Sequence, residues 1–229
     1  MNELLALELT PVVVTLAAFQ AGRLLQKKFP SPLCNPTLIG MILVIVFLLL
    51  TGMAPGTYQA AMVRLSWLMT PATICLAIPM YEQFQALKQN LGAIALGVLV
   101  GAAGSMAVIL ACGLVMGLPD SLILSLLPKS VTTAIGAPLS ELFGGLGGVT
   151  IAAIIVTGIS CNMMGPGLCR LFRITDPAAQ GVAFGTAGHV IGTAKANELG
   201  ELTGAVSSLS LVAAGVFTAA LFPLLRLIL

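Results

Sequence analysis

The stretch from Ser121 to Gly144, SLILSLLPKSVTTAIGAPLSELFG, decides the fold of this chain. It contains two prolines, two glycines and a lysine, and it lies between two uncharged apolar blocks, 91–117 and 147–169. Each block has at least the roughly 20 residues that a membrane-spanning helix needs. Non-helical backbone at membrane depth is tolerated only where it is buried in protein or lines a water-filled cavity. Residues 121–144 are therefore predicted to form a wall of an internal site.

The composition of the whole chain indicates a membrane protein. Of its 229 residues, 58% are hydrophobic and 8% are charged, whereas a soluble domain carries about 25% charged residues. The blocks without a charged residue are 34–52, 91–117, 147–169 and 202–225. We predict an all-α polytopic protein of the lipid bilayer with about six to eight transmembrane segments. A net charge of only +2, without basic runs among aromatic residues, argues against nucleic-acid binding.

The positive charges predict a topology. Lys27 and Lys28 follow the first apolar helix, and Arg170 and Arg173 follow the third block, so the positive-inside rule places both regions in the cytoplasm. Residues 121–144 then enter and leave on the outer side. About 12 residues per arm, at about 1.5 Å each, reach roughly the bilayer midplane, which predicts a re-entrant hairpin. The spanning helices are predicted at 4–26, 34–52, 58–84 (interrupted by Pro71 and Pro79), 91–117, 147–171 and 202–227.

A second polar segment, 177–200 (PAAQGVAFGTAGHVIGTAKANELG), begins beside the cytoplasmic arginines and is predicted to be a hairpin that enters from the inside. An offset of 60 aligns it with the first segment. The identities are Thr133/Thr193, Ala134/Ala194, Leu139/Leu199, Glu141/Glu201, Leu142/Leu202 and Gly144/Gly204. We predict a single domain, 1–229, with scaffold helices in 1–117 and two inverted broken-helix units, 121–171 and 177–227, in 118–229. Inverted repeats with broken helices are typical of secondary transporters.

The first segment carries the candidate anion site. The run from Pro128 to Thr133 predicts the start of a half-helix, whose free N–H groups and positive dipole end favour an anion. Ser130, Thr132 and Thr133 would add hydroxyl donors, and Lys129 would add positive charge. The alternative is that Lys129 extends to the membrane interface and the hydroxyls cap the helix.

The second segment carries His189, the single histidine of the chain, followed by Gly192 and Thr193. We predict that these residues contact substrate and that His189 or Glu141 carries a proton, since polar groups within membranes are costly without a role. The alternatives are a structural hydrogen bond for His189 and a helix-end role for Glu141. Asn162 is expected to line the same cavity. Lys195 and Glu198, three residues apart, predict a simple ion pair.

Other chemistry has little support in the sequence. The five cysteines form no CxxC pair, and one histidine is too few for a metal site of the usual spacing. The chain shows neither a nucleophile–base arrangement nor a phosphate-binding loop. We therefore expect no enzymatic activity, no metal and no cofactor.

Several motifs resemble the signatures of the LrgB/CidB family. They are Pro128-Lys129-Ser130-Val131-Thr132-Thr133, His189-x-x-Gly192-Thr193-Ala194, the glycines from Gly181 to Gly185, Asn35-Pro36 and Pro79-x-Tyr81-Glu82-Gln83. The resemblance covers nearly the whole chain. The family usually has a proline after the paired threonines, whereas this chain has Ala134, which does not impose the local kink that a proline would.

The resemblance implies two functions. Bacterial members were named as holin- or antiholin-like modulators of murein hydrolase export and cell lysis, acting with a small LrgA/CidA partner. A related plant plastid protein exchanges glycolate and glycerate. Together with the broken helices, this favours a proton-coupled secondary carrier of small 2-hydroxy- or 2-oxo-carboxylates. We also expect a homo-oligomer and a multi-pass location in the bacterial inner membrane.

Overall fold

The computed structural model describes residues 2–29, 34–68, 71, 74–75 and 77–227, and every regular element in these ranges is a helix. The chain divides into two compact units, Met1–Cys75 and Leu76–Leu229. The predicted segment 58–84 is interrupted as expected, since residues 67 and 68 form a turn after the helix that ends at Ser66. Thr73 lies outside the described residues. The two helical pieces of this segment belong to different units, so the predicted scaffold 1–117 is divided between them.

The first unit contains three helices: α1 (Asn2–Lys28), α2 (Pro36–Thr51) and α3 (Pro55–Ser66). The α1–α2 contact is close at Gly22, where an added Cβ would lie 2.8 Å from the Pro36 carbonyl oxygen. Asn35 caps α2, because its side-chain oxygen accepts hydrogen bonds from two amides of the first turn. The Thr15 and Tyr58 hydroxyls, 2.6 Å apart, connect α1 with α3.

The second unit contains every residue of the two predicted hairpins. Its helices are α4 (Ala77–Glu82), α5 (Phe84–Val115), α6 (Asp120–Leu126), α7 (Thr133–Leu142), α8 (Gly147–Leu171), α9 (Pro177–Leu199) and α10 (Glu201–Arg226). Helices α5, α8 and α10 are long and apolar enough to cross a membrane. With 32 residues, α5 is about 48 Å long, against about 30 Å of hydrocarbon. The prediction of an all-α polytopic membrane protein is confirmed.

The first hairpin consists of α6, residues 127–132 and α7. The Leu146 amide donates to Ser125 Oγ over 2.6 Å, so the chain returns after α7 to the level of α6. Nearer the turn, an added Cβ on Gly136 would lie 3.2 Å from the Pro128 carbonyl oxygen. Helix α7 therefore runs back along α6, and residues 121–144 turn back rather than cross.

The second hairpin is α9 itself, which breaks at His189 (φ 43°, ψ −137°). An added Cβ on Gly192 would meet the Phe184 carbonyl oxygen, so the two arms lie against each other. The first arm runs parallel to α10, and the second arm runs antiparallel to it, with Thr193 bonded to Ser207 over 2.9 Å. Residues 177–199 therefore also turn back.

The two hairpins enter the unit from opposite ends. Helix α6 runs antiparallel to α5, since Ser130 contacts Ser105 while Gly113 faces Ile123. Helix α7 runs opposite to α6, and α8 runs opposite to α7. Helix α8 is therefore antiparallel to α5, and the two helices end at opposite ends of the unit. The first hairpin starts at the end of α5 and the second at the end of α8, as predicted for inverted repeats.

Helices α5 and α10 run parallel and hold a hairpin at each end. At the end near α4, Ile94 and Val98 of α5 pack against Ala205 and Val206 of α10, beside the second hairpin. At the other end, Met106, Ile123, Leu127 and Phe222 join α5, the first hairpin and α10 in a second core. Both hairpins contact α8 at Ile154: its side chain lies at Gly136 of the first hairpin, and its carbonyl oxygen lies 2.9 Å from Nε2 of His189 in the second.

The predicted boundaries agree closely for α8 but are wrong at the start of α5. Helix α5 begins at Phe84 rather than at residue 91, and Lys88 lies within its second turn. Hydropathy locates only the part of a helix that faces hydrocarbon, and polar turns outside it continue the same helix.

We expect replacement of glycine by alanine to destabilise the protein where the glycine lies against another backbone, and not where the position is open. Gly185→Ala would place a Cβ against the Ser207 carbonyl oxygen, so we expect it to lower the free energy of unfolding by about 1–3 kcal/mol. Gly104→Ala, on α5, meets no described atom within 4 Å and should be neutral or stabilising by up to about 1 kcal/mol. Thermal unfolding in detergent measures both. Equal melting temperatures for the two variants would contradict the packing of α9 on α10.

Cysteine accessibility tests the direction of the hairpins. In a cysteine-free background, Asp120→Cys and Glu141→Cys should react with an impermeant maleimide from one side of the membrane. Thr175→Cys and Glu198→Cys should react from the other side. Labelling of Asp120→Cys and Glu141→Cys from opposite sides would show that the first segment crosses the membrane.

Candidate functional site

A cavity of about 450 Å³ lies between the turn of the first hairpin and the first arm of the second. We call it the inner cavity. Its walls are α5, α8 and the first arm of α9, and Lys129 and Ser130 close one end. At the other end the lining continues to Phe172 and Ile174, just beyond α8. Phe172 is largely exposed, so the inner cavity reaches the end of the unit that carries Arg170.

The polar end of the inner cavity is formed by Ser105, Lys129 and Ser130, which we call the Lys129 cluster. The Lys129 ammonium donates to Ser105 Oγ and to Ser130 Oγ, both at 3.4 Å, and the two hydroxyl oxygens are 3.1 Å apart. Among the described residues, no Asp or Glu pairs with Lys129. Lys195, in contrast, forms the predicted ion pair with Glu198 at 2.7 Å. The Lys129 cluster therefore presents an uncompensated positive charge and hydroxyl groups to the cavity.

Small residues on α5 allow the first arm of the second hairpin to approach closely and to form part of the cavity wall. Gly97 and Gly101 line the cavity, and an added Cβ on Gly101 would lie 2.9 Å from the Thr186 methyl carbon. Thr186 is 6% exposed, and within the described part of the chain its hydroxyl has no hydrogen-bond partner. The wall thus carries a buried hydroxyl whose hydrogen-bonding capacity is unused.

His189 lies at the turn of the second hairpin rather than on the lining of the inner cavity. It is buried, and its Nε2 lies 2.9 Å from the Ile154 carbonyl oxygen of α8. Its φ of 43° is in the left-handed region, which is strained for a residue other than glycine. The ring fits because Gly158 of α8 has no side chain. An added Cβ at that position would lie only 2.5 Å from the ring. The imidazole therefore anchors the strained turn to α8.

Three further predicted residues of the second segment surround the same turn. Asn162 donates to the Ile191 carbonyl oxygen over 3.2 Å, and Thr193 donates to the His189 carbonyl oxygen over 2.9 Å. Gly192 packs against the first arm of the hairpin. Asn162, Gly192 and Thr193 do not line the inner cavity, and in this conformation they support the backbone where the helix is broken.

The remaining predicted residues belong to the first hairpin. Thr132 is the N-cap of α7 and Thr133 its first residue, and neither lines the inner cavity or makes a side-chain cap. Glu141 is exposed at the end of α7, where its carboxylate would meet a Cβ added to Gly147. A carboxylate beside the first turn of α8 complements the helix dipole. Of the predicted substrate residues, the structure therefore places Lys129 and Ser130 together at the cavity.

Ser105 and Thr186 were not among the site residues predicted from the sequence. Ser105 is the one hydroxyl residue of the block 91–117, and it follows Gly97 and Gly101 at intervals of four. A single polar residue that continues a row of small residues on one helix face is a signal that could have found it. Thr186 lay within the polar segment 177–200 but was not distinguishable there from its neighbours.

The described residues contain no group of three or more His, Cys, Asp or Glu side chains placed to hold a metal ion. All five cysteines are free, and Cys161 and Cys169 line the inner cavity. Small thiols at these positions contribute apolar wall.

Comparison with known proteins supports the resemblance seen in the sequence. No solved structure matches the chain. The family model described as the LrgB-like family matches residues 15–228, which includes the whole of both hairpins. The chain therefore belongs to the LrgB-like family of membrane proteins.

Proposed function

We propose that this protein is a secondary transporter of small 2-hydroxy- and 2-oxo-carboxylates, which it binds in the inner cavity. The observation that carries the proposal is the Lys129 ammonium, which closes the cavity without a carboxylate partner among the described residues. A charge held away from water is costly unless an opposite charge or hydrogen bonds compensate it. A bound carboxylate would supply both.

The size of the inner cavity supports a small substrate. About 450 Å³ is at the lower end of the range in which ligand pockets of proteins fall, roughly 300–1,000 Å³. The walls carry few polar groups apart from the Lys129 cluster and the hydroxyls of Thr157, Ser160 and Thr186. Such a site would orient a short acid by its carboxylate and would not suit a large polar solute.

The opposed hairpins support transport rather than binding alone. Secondary transporters hold their sites at discontinuous helices of inverted repeats, and rocking one repeat against the other exposes the site to each side in turn. Here the inner cavity extends toward the end of α8 that carries Arg170. The positive-inside rule assigns this end to the cytoplasm. Motion of the first hairpin would expose the Lys129 cluster to the opposite side.

Proton coupling by His189 or Glu141, a homo-oligomer and an inner-membrane location remain part of the proposal. His189 is the better candidate for the proton carrier, because its ring joins the turn of the second hairpin to α8. A change in its protonation would alter the hydrogen bond to the Ile154 carbonyl oxygen and with it the position of that turn. Glu141 is exposed and distant in sequence from the cavity residues of its own hairpin.

Family membership favours a second candidate function. The LrgB family suggests a membrane protein linked to holin-like regulation of murein hydrolases. In that case, the chain would act with a small LrgA/CidA-like membrane partner and would not need a substrate site. The unpaired Lys129 at the inner cavity supports the transporter in preference to this alternative.

Uptake into liposomes tests the transporter directly. The purified protein should take up labelled glycolate, lactate or pyruvate with saturable kinetics. Lys129→Met should reduce uptake by about tenfold to a hundredfold, since hydrogen bonds to a charged group contribute about 1.5–3 kcal/mol. Lys195→Met, which removes a lysine paired with Glu198, is the matched control and should transport normally. Absence of saturable uptake for all three acids would favour the regulatory function.

A pH gradient tests coupling through His189. Acid outside should accelerate wild-type uptake, and His189→Gln should lose this acceleration because a carboxamide does not carry a proton in this pH range. Exchange of labelled for unlabelled substrate at equal pH requires no net proton movement, so it should persist in the variant. Acceleration that survives in His189→Gln would show that another group carries the proton.

A further inference from the structure

We propose that Thr186 is the residue that selects acids bearing a 2-hydroxy or 2-oxo group, while the Lys129 cluster binds their carboxylate. This inference rests on the proposed transport function. It assigns roles to two residues, Ser105 and Thr186, that the motifs of the sequence did not indicate.

The Lys129 cluster has the chemistry of a carboxylate site. Its ammonium and two hydroxyls come from two different elements, α5 and the turn of the first hairpin, and all three groups lie within 3.4 Å of one another. Hydroxyl hydrogens rotate toward an acceptor, and a carboxylate offers about four lone-pair sites. A bound carboxylate could accept from Lys129 and from both serines, so that it would also join the first hairpin to α5.

The Thr186 hydroxyl is a hydrogen-bonding group that the protein itself does not use. The residue is 6% exposed, lines the inner cavity, and has no hydrogen-bond partner among the described residues. Leaving a buried hydroxyl unpaired costs about 1–3 kcal/mol. Its methyl group packs toward Gly101 of α5. The hydroxyl oxygen itself has almost no exposed surface in this conformation, so the Thr186 side chain would rotate to present it to a ligand in the cavity.

The spacing along α5 fits a short acid. Ser105 marks the level of the Lys129 cluster, and Gly101, which faces Thr186, lies four residues earlier on the same helix. Four residues correspond to about 6 Å along the helix axis. An acid whose carboxylate is hydrogen-bonded at the level of Ser105 would place its 2-substituent within hydrogen-bond reach of Thr186. Acetate and propionate lack that substituent, so Thr186 would discriminate against them.

The test compares lactate, pyruvate and propionate, which share three carbons and a carboxylate. Wild-type protein in liposomes should prefer lactate and pyruvate over propionate. Thr186→Val keeps the shape of the side chain but removes the hydroxyl, so the preference for lactate and pyruvate over propionate should fall by about tenfold. Thr186→Ser, which keeps a hydroxyl, should retain the preference.

Ser210→Ala is the matched control. Ser210 is the other buried hydroxyl without a partner in the described ranges, and it does not line the inner cavity. Its removal should leave the preference unchanged. Saturable uptake of propionate at any measurable rate shows that Thr186→Val is folded, and Thr186→Ala serves as a second variant if it is not.

The outcomes separate this inference from the proposed function. A lactate-to-propionate ratio in Thr186→Val within about twofold of the wild-type value would overturn the role of Thr186 but leave transport intact. Loss of preference in Ser210→Ala as well would overturn it too, since the effect would then be a general one of packing. Absence of uptake of all three acids by the wild type would overturn the proposed function itself.

Discussion

The structure depends on one constraint, namely that backbone N–H and C=O groups at membrane depth need partners that lipid does not provide. Each hairpin interrupts its helix and therefore exposes such groups. In the second hairpin, Thr193 donates to the carbonyl of His189, and Asn162 donates to that of Ile191. In the first, Ser125 accepts from the amide of Leu146 where the chain returns. The polar residues of an otherwise apolar chain are concentrated where the helices break, because that is where they are required.

A second requirement is that the helix interruptions in the two hairpins are enclosed by protein, and glycine residues make this possible. The arms of the second hairpin lie against α10 and against each other at Gly185 and Gly192, where a side chain would collide with backbone. Gly158 leaves room on α8 for the His189 ring, and Gly101 leaves room on α5 for Thr186. Small residues let helices approach closely in a medium where no hydrophobic force draws them together.

Much of the fold could be predicted because hydropathy and charge act locally. The helix from Gly147 to Leu171 was located to the residue, and three of the four uncharged blocks coincide with the described helices that are long and apolar enough to cross a membrane. The start of α5 was placed too late, since polar turns outside the hydrocarbon carry no hydropathy signal. In the candidate site, Lys129 and Ser130 were identified because ionisable and other polar groups within a membrane segment are rare. Asn162, His189 and Thr193 were identified as important for the same reason, but their placement at the turn rather than on the cavity lining followed from contacts with α8 and α10.

The sequence by itself determined that the chain is a helical membrane protein of this family, with two broken segments and a lysine in each. These properties follow from residue composition, from charge and from the order of polar and apolar blocks along the chain. Only the tertiary structure decided that Ser105 and Thr186 face the same cavity as Lys129, although they lie on three separate elements. The reason is physical: hydropathy is a property of each segment, whereas the meeting of side chains from α5, the first hairpin and α9 depends on the direction in which each hairpin turns and on the glycines that allow their approach.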